Sequence, residues 1–309
     1  MTSAHVPDSA KMWLTKDLPR RPAGLFDARY RAFLETVSDA RPQLHRYCAR
    51  MTGSRLDGED LMQETLFEAY TKIDTLDDAG KLKPWLFRIA HNRCIDLLRR
   101  RDARARAESA YSEDVGVVAA EPVTSDARRA VERLVGHLPP KERACILLKD
   151  VLDYSLEETA EFVGSTVGGV KSALSRGRAK LADLPTERVG EPARPLDPDT
   201  AHLLQRYVEL FNRHDWDGIR RLTSADAQLR VADCFDGLLR NSPYFAEYDR
   251  NPKPWIMELG AIDGEPALLV LFQRGDEWQV TWAIRVHVTD GLIDRIEDYY
   301  ACPWIVGDA

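Results

Sequence analysis

Cysteine is scarce and scattered: Cys48, Cys94, Cys145, Cys234 and Cys302 are the five in 309 residues, and none pairs as CxxC. A zinc cluster or a disulfide framework needs closer spacing or an oxidising compartment, so all five read as buried free thiols. Long apolar runs are missing as well. No stretch approaches the roughly 20 uncharged residues that cross a bilayer, and "MTSAHVPDSAKMWLTKDLPRRPAG" lacks the apolar block of a secretory leader. These absences predict a cytoplasmic protein with no membrane partner, no metal and no cofactor. There is no long internal repeat, so the chain is not an array of one repeated unit.

The length suits two or three compact domains. Of the formal charge of −7, all the excess is in the last third: residues 200–309 hold 11 Lys and Arg against 18 Asp and Glu, whereas the rest holds 32 of each. The first two thirds arrange this balance in local blocks. Such blocks matter for polyanion binding, because a phosphate is felt over about 8–10 Å.

Periodicity divides the chain. A poorly patterned tail, 1–24, precedes helical pattern over 25–107. Residues 108–126 are polar, acidic and aperiodic, and read as a linker. Helical pattern resumes over 127–184, and a second linker, 185–199, carries four prolines. Beyond it, helical stretches at 201–214 and 216–222 lead into Val-, Ile-, Trp- and Tyr-rich runs parted by Asp263-Gly264 and Asp290-Gly291 turns. The expectation is two all-α domains followed by an α+β domain, 200–309, with a curved antiparallel sheet.

In "DGEDLMQETLFEAYTKI", Met62, Leu66, Ala69, Tyr70 and Ile73 recur at helical spacing and should face a core. Asp57 is placed to cap the helix, with Glu59 and Asp60 suiting its dipole. That leaves Asp60, Gln63, Glu64 and Phe67 as an acidic edge with one aromatic. "WLFRIAHNRCIDLLRRR" follows, with Leu86, Ile89, Ala90, Cys94 and Leu97 as its apolar stripe and Arg88, Asn92, Asp96 and Arg99 on a polar face. Helix-dipole stabilisation accounts for one or two cations at a C-terminus, not for six arginines through Arg106. Trp85 and Phe87 suggest base-stacking wedges, although aromatics near a helix start more often belong to a core.

In "YSLEETAEFVGSTVGGVKSALSRGRAKL", Ser155 and Glu158 form a capping box, Gly164 ends the helix, and a new helix starts near Ser165 or Thr166. This is a helix-turn-helix pattern. The second helix should bury Val167, Val170, Leu174 and Leu181. It shows Lys171, Ser172, Ser175, Arg176, Arg178 and Lys180 outward, with four cations and no acid from Thr166 to Lys180, which suits a DNA major groove. Gly168 and Gly169 weaken its first turn, each by about 1 kcal/mol relative to Ala. The expectation is that the helix orders fully only on DNA.

Taken together and in this order, the motifs resemble the extracytoplasmic-function (ECF) sigma factors of the sigma-70 superfamily, over about residues 25–184. The resemblance implies a dissociable, non-enzymatic subunit whose partners are core RNA polymerase, at the β′ clamp helices and β flap, and promoter DNA. It places Asp57, Asp60, Gln63 and Glu64 at the polymerase clamp. Asn92 would lie beside the pocket for an extruded minus-10 base, rimmed by the loop 75–83, with Arg88, Arg93, Arg99 and Arg100 near DNA phosphates. Lys171, Ser172, Ser175, Arg176 and Arg178 would face the minus-35 duplex. The linker 108–126 would thread toward the RNA exit path.

The segment from Leu203 to Val231 and the strands after it resemble SnoaL-like domains of the nuclear-transport-factor cone fold, which some ECF sigma factors carry in place of a separate anti-sigma protein. "DCFDGLLR" stands where one group of these fusions has a Gly-rich DGGGK segment. Such a domain implies an intramolecular regulator, inhibitory or activating; a separate anti-sigma protein is compatible with it but not required. Enzymes also use this fold, and Asp233, Asp236, His287, Tyr244, Trp278 and Trp282 are candidate cavity residues. Two alternatives stay open: a helix-turn-helix regulator acting without polymerase, and a ligand-sensing or catalytic tail domain fused to a DNA-binding module.

Overall fold

The computed structural model describes residues 33–108, 138–183, 196–300 and 302–306. The expected tail and, apart from residues 108 and 196–199, the expected linkers lie outside them. The described residues form two compact units, one from the helical segments 33–108 and 138–183 and the other from 196 onward.

The helical unit begins with α1 (Arg41–Thr52) and α2 (Arg55–Thr71). Gly53, at φ 82°, reverses the chain between them, and the Ser54 side chain caps α2 by accepting from the Asp57 N–H at 3.2 Å. The cap is therefore Ser54 and not Asp57: the helix starts one turn earlier because the left-handed Gly53 leaves Ser54 in extended backbone just ahead of it. Backbones of α1 and α2 touch at Gly58, where a Cβ would fall 2.6 Å from the Ala49 Cα. After two short 3-10 turns comes α3 (Leu82–Glu108).

Met62, Leu66 and Ala69 are fully buried as the periodicity predicts, but Tyr70 and Ile73 are only half-buried. On α3, Leu86, Ala90 and Cys94 are buried, and Leu98 replaces Leu97 at the end of the stripe. Phe87 is fully buried, so it is a core residue and not a wedge.

Four further elements complete the unit: α4 (Pro140–Ile146), a π turn (Leu147–Val151), α5 (Leu156–Phe162) and α6 (Val167–Ala182). Both halves of the Ser155–Glu158 capping box are formed. Gly164 sits at φ +60° between α5 and α6, and Thr166 caps α6 by accepting from the Gly169 N–H at 3.1 Å. Val170, Ala173 and Leu174 are buried, whereas Val167 and Leu181 are half-buried. The sequence separates 25–107 from 127–184, yet their described parts pack as one body. Phe87 stacks on Phe162 with centroids 4.7 Å apart, and Tyr154 meets both rings edge-on. Arg143, buried, donates to the carbonyls of Met51 at 2.7 Å and Leu138 at 3.1 Å.

The second unit opens with α7 (Pro198–Asn212), capped by Asp197, and α8 (Trp216–Leu222). Six strands follow: β1 (Thr223–Val231), β2 (Phe235–Leu238), then, after the short helix α9 (Tyr244–Asp249), β3 (Trp255–Ile262), β4 (Glu265–Arg274), β5 (Glu277–Thr289) and β6 (Leu292–Asp298). A last short helix, α10 (Pro303–Val306), ends the described chain.

The sheet order is β2-β1-β6-β5-β4-β3. It is not antiparallel throughout, because β6 turns back from β5 and inserts beside β1, to which it runs parallel. Asp263-Gly264 and Asp290-Gly291 make the tight hairpins, all four residues having positive φ. Register shifts at Val270/Leu271 and His287/Val288 mark irregularities of the kind that bend strands. One face of the sheet packs on Tyr207 and Phe211 of α7 and Tyr244 and Tyr248 of α9.

Candidate nucleic-acid and polymerase interface

On α2 the expected acidic edge is only partly presented. Gln63 is buried and donates to Glu59 at 2.8 Å, and Glu59 is itself fully buried. Asp57 is turned toward α3, where it pairs with Arg101. The surface edge is therefore Asp60, half-buried, with Glu64 and Phe67 exposed. Phe67 is 38% exposed beside these two carboxylates.

Arg93 of α3 reaches across to α2, pairing with Glu64 and with Glu68, the latter at 2.8 Å. A hydrogen bond from Lys72, followed by those from Arg93, holds the Glu68 carboxyl below its ordinary range against the opposing effect of burial. Arg93 thus fastens two helices together. The remaining cations of the polar face stay outward: Arg88, Arg99 and Arg100 are exposed, and Arg99 has only a loose 3.7 Å approach to Asp96. Asn92 is exposed on the same helix, without a hydrogen-bond partner among the described residues. Arg88 lies against the helix-turn-helix turn, its Nη2 being 3.4 Å from where a Cβ of Gly164 would sit. The loop 75–81, apart from half-buried Leu76, is exposed and shaped by the Asp78 carboxylate accepting from the Gly80 N–H at 2.8 Å.

On α6, Lys171, Ser172, Ser175, Arg176, Arg178 and Lys180 are all exposed. A depression of about 520 Å³ is lined by Lys149, Leu156, Lys171, Leu174, Ser175 and Arg178. Acids from the preceding segments meet the C-terminal cations of this helix. Glu142 accepts from Arg176 Nε at 2.9 Å and Lys180 Nζ at 2.8 Å, and Asp150 accepts from Arg178 at 2.6 and 3.0 Å. These pairings join residues 28 to 38 positions apart, which no local pattern reveals.

In the second unit, the candidate cavity residues separate. Tyr244 and Trp282 face the interior. Asp233 sits in the β1–β2 turn at φ 57°, Asp236 lies across from Arg230 in the β1–β2 register, and Trp278 is 41% exposed. His287 is on the outer face, bonded to Glu297 at 3.0 Å.

The carboxylate inside is Asp298, which accepts from Tyr244 and Tyr248 hydroxyls at 2.7 and 2.9 Å and from the Tyr300 N–H at 3.0 Å. Burial pushes its carboxyl up to about 6, against the opposing effect of these three donors. Period-two alternation from Ile296 would have placed Asp298 on the inner face. Two buried groups beside this cluster, the Tyr207 hydroxyl and the Trp282 indole N–H, have no hydrogen-bond partner among the described residues.

Residues 36–104 match the Sigma-70 region 2 family and residues 128–181 the Sigma-70 region 4 family. The chain is 29% identical to ECF RNA polymerase sigma factor SigG of Mycobacterium tuberculosis, over 93% of this chain and 85% of that one. It is 35% identical to ECF RNA polymerase sigma factor SigW of Bacillus subtilis, over 48% of this chain and 87% of that one. Among solved structures, the sigma factor RpoE of Bartonella quintana, in complex with the anti-sigma factor NepR, is 27% identical over 50% of this chain and 96% of its own, with a TM-score of 0.41.

Proposed function

The chain belongs to the ECF RNA polymerase sigma factors, and from that premise we propose how its parts divide the work of directing core polymerase to promoter DNA. The observation that carries the division is the presence, in one compact unit, of two helices with outward cations, α3 and α6, beside the acidic and aromatic edge of α2.

In this reading Asp60, Glu64 and Phe67 meet the β′ clamp helices, with Asp57 and Gln63 supporting that edge from inside. Asn92 and the loop 75–83 bind an extruded minus-10 base, and Arg88, Arg99 and Arg100 meet nearby phosphates. Strand separation is uphill, and a site that binds an unstacked base shifts the balance without fuel. Catalysis belongs to the polymerase. The N-terminal half of α6, with Lys171, Ser172 and Ser175, reads minus-35 base edges, and the helix-turn-helix segment meets the β flap.

The second unit is a SnoaL-like, non-catalytic regulator. Two observations support this. The similarity to a sigma factor, at 93% of this chain, extends into the C-terminal unit, which suits a part that serves the same function, and Asp298, the interior carboxylate, is 1% exposed and already accepts three hydrogen bonds, which suits a structural and not a catalytic group. Run-off transcription with core polymerase, comparing the full chain with one ending after residue 184, tests the division. Promoter-specific transcription by the shortened chain, at a level different from the full chain, is the expected result. Equal levels would remove the regulatory role, and no promoter-specific transcript from either would remove the whole reading.

A further inference from the structure

The helix assigned above to minus-35 recognition is unevenly neutralised. Its N-terminal half carries Lys171, which has no acidic partner among the described residues, and the uncharged Ser172 and Ser175. Its C-terminal half carries Arg176, Arg178 and Lys180, and every one of them is paired with an acid from outside the helix. In a recognition helix the N-terminal residues reach base edges, while cations farther along meet the phosphate backbone. The acids are therefore concentrated at the end of the helix that meets phosphate.

We propose that Glu142 and Asp150 are positioning residues that set how much of the α6 charge is available to DNA phosphate, and thereby hold down the affinity of this helix for duplex of any sequence. This rests on α6 being the minus-35 reader.

Glu142 is suited to the role by its placement. Its side chain is 8% exposed, on the side of α4 turned toward α6, 2.9 Å from Arg176 Nε and 2.8 Å from Lys180 Nζ. Burial raises its carboxyl, but the hydrogen bonds from Lys180 and Arg176 outweigh that effect and hold it below the ordinary range, so it is ionised at neutral pH. Asp150 grips the Nε and Nη2 of Arg178 together, which fixes the plane of the guanidinium as well as its charge.

Binding to arbitrary duplex comes almost wholly from phosphate neutralisation and counterion release, with a slope of about 0.9 in log K against log salt for each phosphate neutralised. A cation already paired with a fixed carboxylate releases less when it meets phosphate. The two acids therefore weaken binding to any duplex, while base contacts by Lys171, Ser172 and Ser175 are left intact. Affinity for promoter and for other duplex falls by the same factor, because specificity is the difference between the two and the phosphate contribution is common to both.

The test is a salt titration of the full chain assembled with core polymerase, on a promoter duplex and on the same duplex with a scrambled minus-35 element. E142Q keeps a neutral acceptor and D150N keeps the size of the side chain. Each should steepen the salt slope by about 1 and raise affinity for both duplexes about fivefold near physiological salt, leaving the promoter preference unchanged.

A purely structural role would lower the melting temperature and leave the slope alone, so an unchanged slope in variants that bind DNA overturns the proposal. If E142Q fails to fold, D150N, whose ion pair is more exposed, decides the matter alone. K171A separates this proposal from the reading beneath it. Loss of promoter preference in K171A with unchanged slopes in both acid variants overturns only the role of the acids; unchanged preference in K171A overturns α6 as the reader, and the proposal with it.

Discussion

Tyr47 Oη and Nδ1 of His91 lie 2.8 Å apart inside the helical unit, joining α1 to α3. A neutral imidazole with its proton on Nε2 accepts the phenolic hydrogen, and a protonated ring cannot. Burial, with a smaller contribution from Lys141, pushes the His91 pKa down to about 4. Its stabilising contribution is therefore complete above about 6.5 and is lost as pH falls toward 4, a change of about 3 kcal/mol. H91Q should flatten the dependence of the helical unit's melting temperature on pH across that window; an unaltered profile would show that another group titrates.

Asp298 gives the C-terminal unit the opposite response. Its carboxyl is raised to about 6, so its contribution is greatest below the ordinary Asp range and is lost as pH rises through 6, by about 3 kcal/mol. Glu297, whose carboxyl is held well below its usual range, weakens this unit only at pH below about 4.5. Calorimetry of the full chain between about pH 7.5 and 5.5 should therefore show two transitions moving in opposite directions. Movement in the same direction would contradict both assignments.

Arginines on α3 should divide into two kinds. R99A removes an exposed cation and should weaken promoter binding, making the salt slope shallower by about 1, with little effect on melting. R93A breaks the ties to Glu64 and Glu68 and should lower the melting temperature more than it changes the slope. Salt titrations paired with thermal melts of the two variants distinguish the roles; equal slopes for both would mean Arg93 also reaches phosphate.

The glycines of the helical unit should likewise respond differently to alanine. At Gly168 the nearest atom to an added Cβ is 4.0 Å away, so G168A should stabilise α6 by about 1 kcal/mol. At Gly169 the Cβ falls 2.6 Å from Ser165 Oγ and 3.3 Å from the capping Thr166 Oγ1, which offsets that gain. Gly177 faces Ile146 Cδ1 at 2.7 Å, and G177A should cost about 1–3 kcal/mol by forcing α4 from α6. Chemical denaturation of the three variants checks the order G168A, G169A, G177A from most to least stable.

Local signals in the sequence were reliable where one element contains the whole cause. The capping box at Ser155 and Glu158, the left-handed Gly164 and the helix Trp216–Leu222 all fall where the residues place them. Phase errors arise with length: along the 27 residues of α3 a 3.6-residue period drifts enough to exchange Leu97 for Leu98. The four-residue strand Phe235–Leu238 is too short to show alternation, and the parallel pairing of β6 with β1 depends on a distant crossover.

The candidate site was legible as a set of residue types and not as a set of partners. Arg93, Arg176 and Arg178 are on the expected faces, but each is tied to a carboxylate on another element, and Gln63 turns inward to Glu59. Which cations stay outward is a property of packing. The inner carboxylate of the second unit was missed for a related reason: Asp298 directly follows Glu297, and only strand alternation tells the inner from the outer.

The most direct test of the central claim is footprinting of promoter DNA by the purified chain with and without core polymerase, followed by mapping of transcript starts. The account predicts that the complex protects elements near minus-35 and minus-10, opens the latter and fixes one start site, none of which either component achieves alone. Equal protection by the chain without polymerase, or start sites that do not depend on the chain, would contradict it.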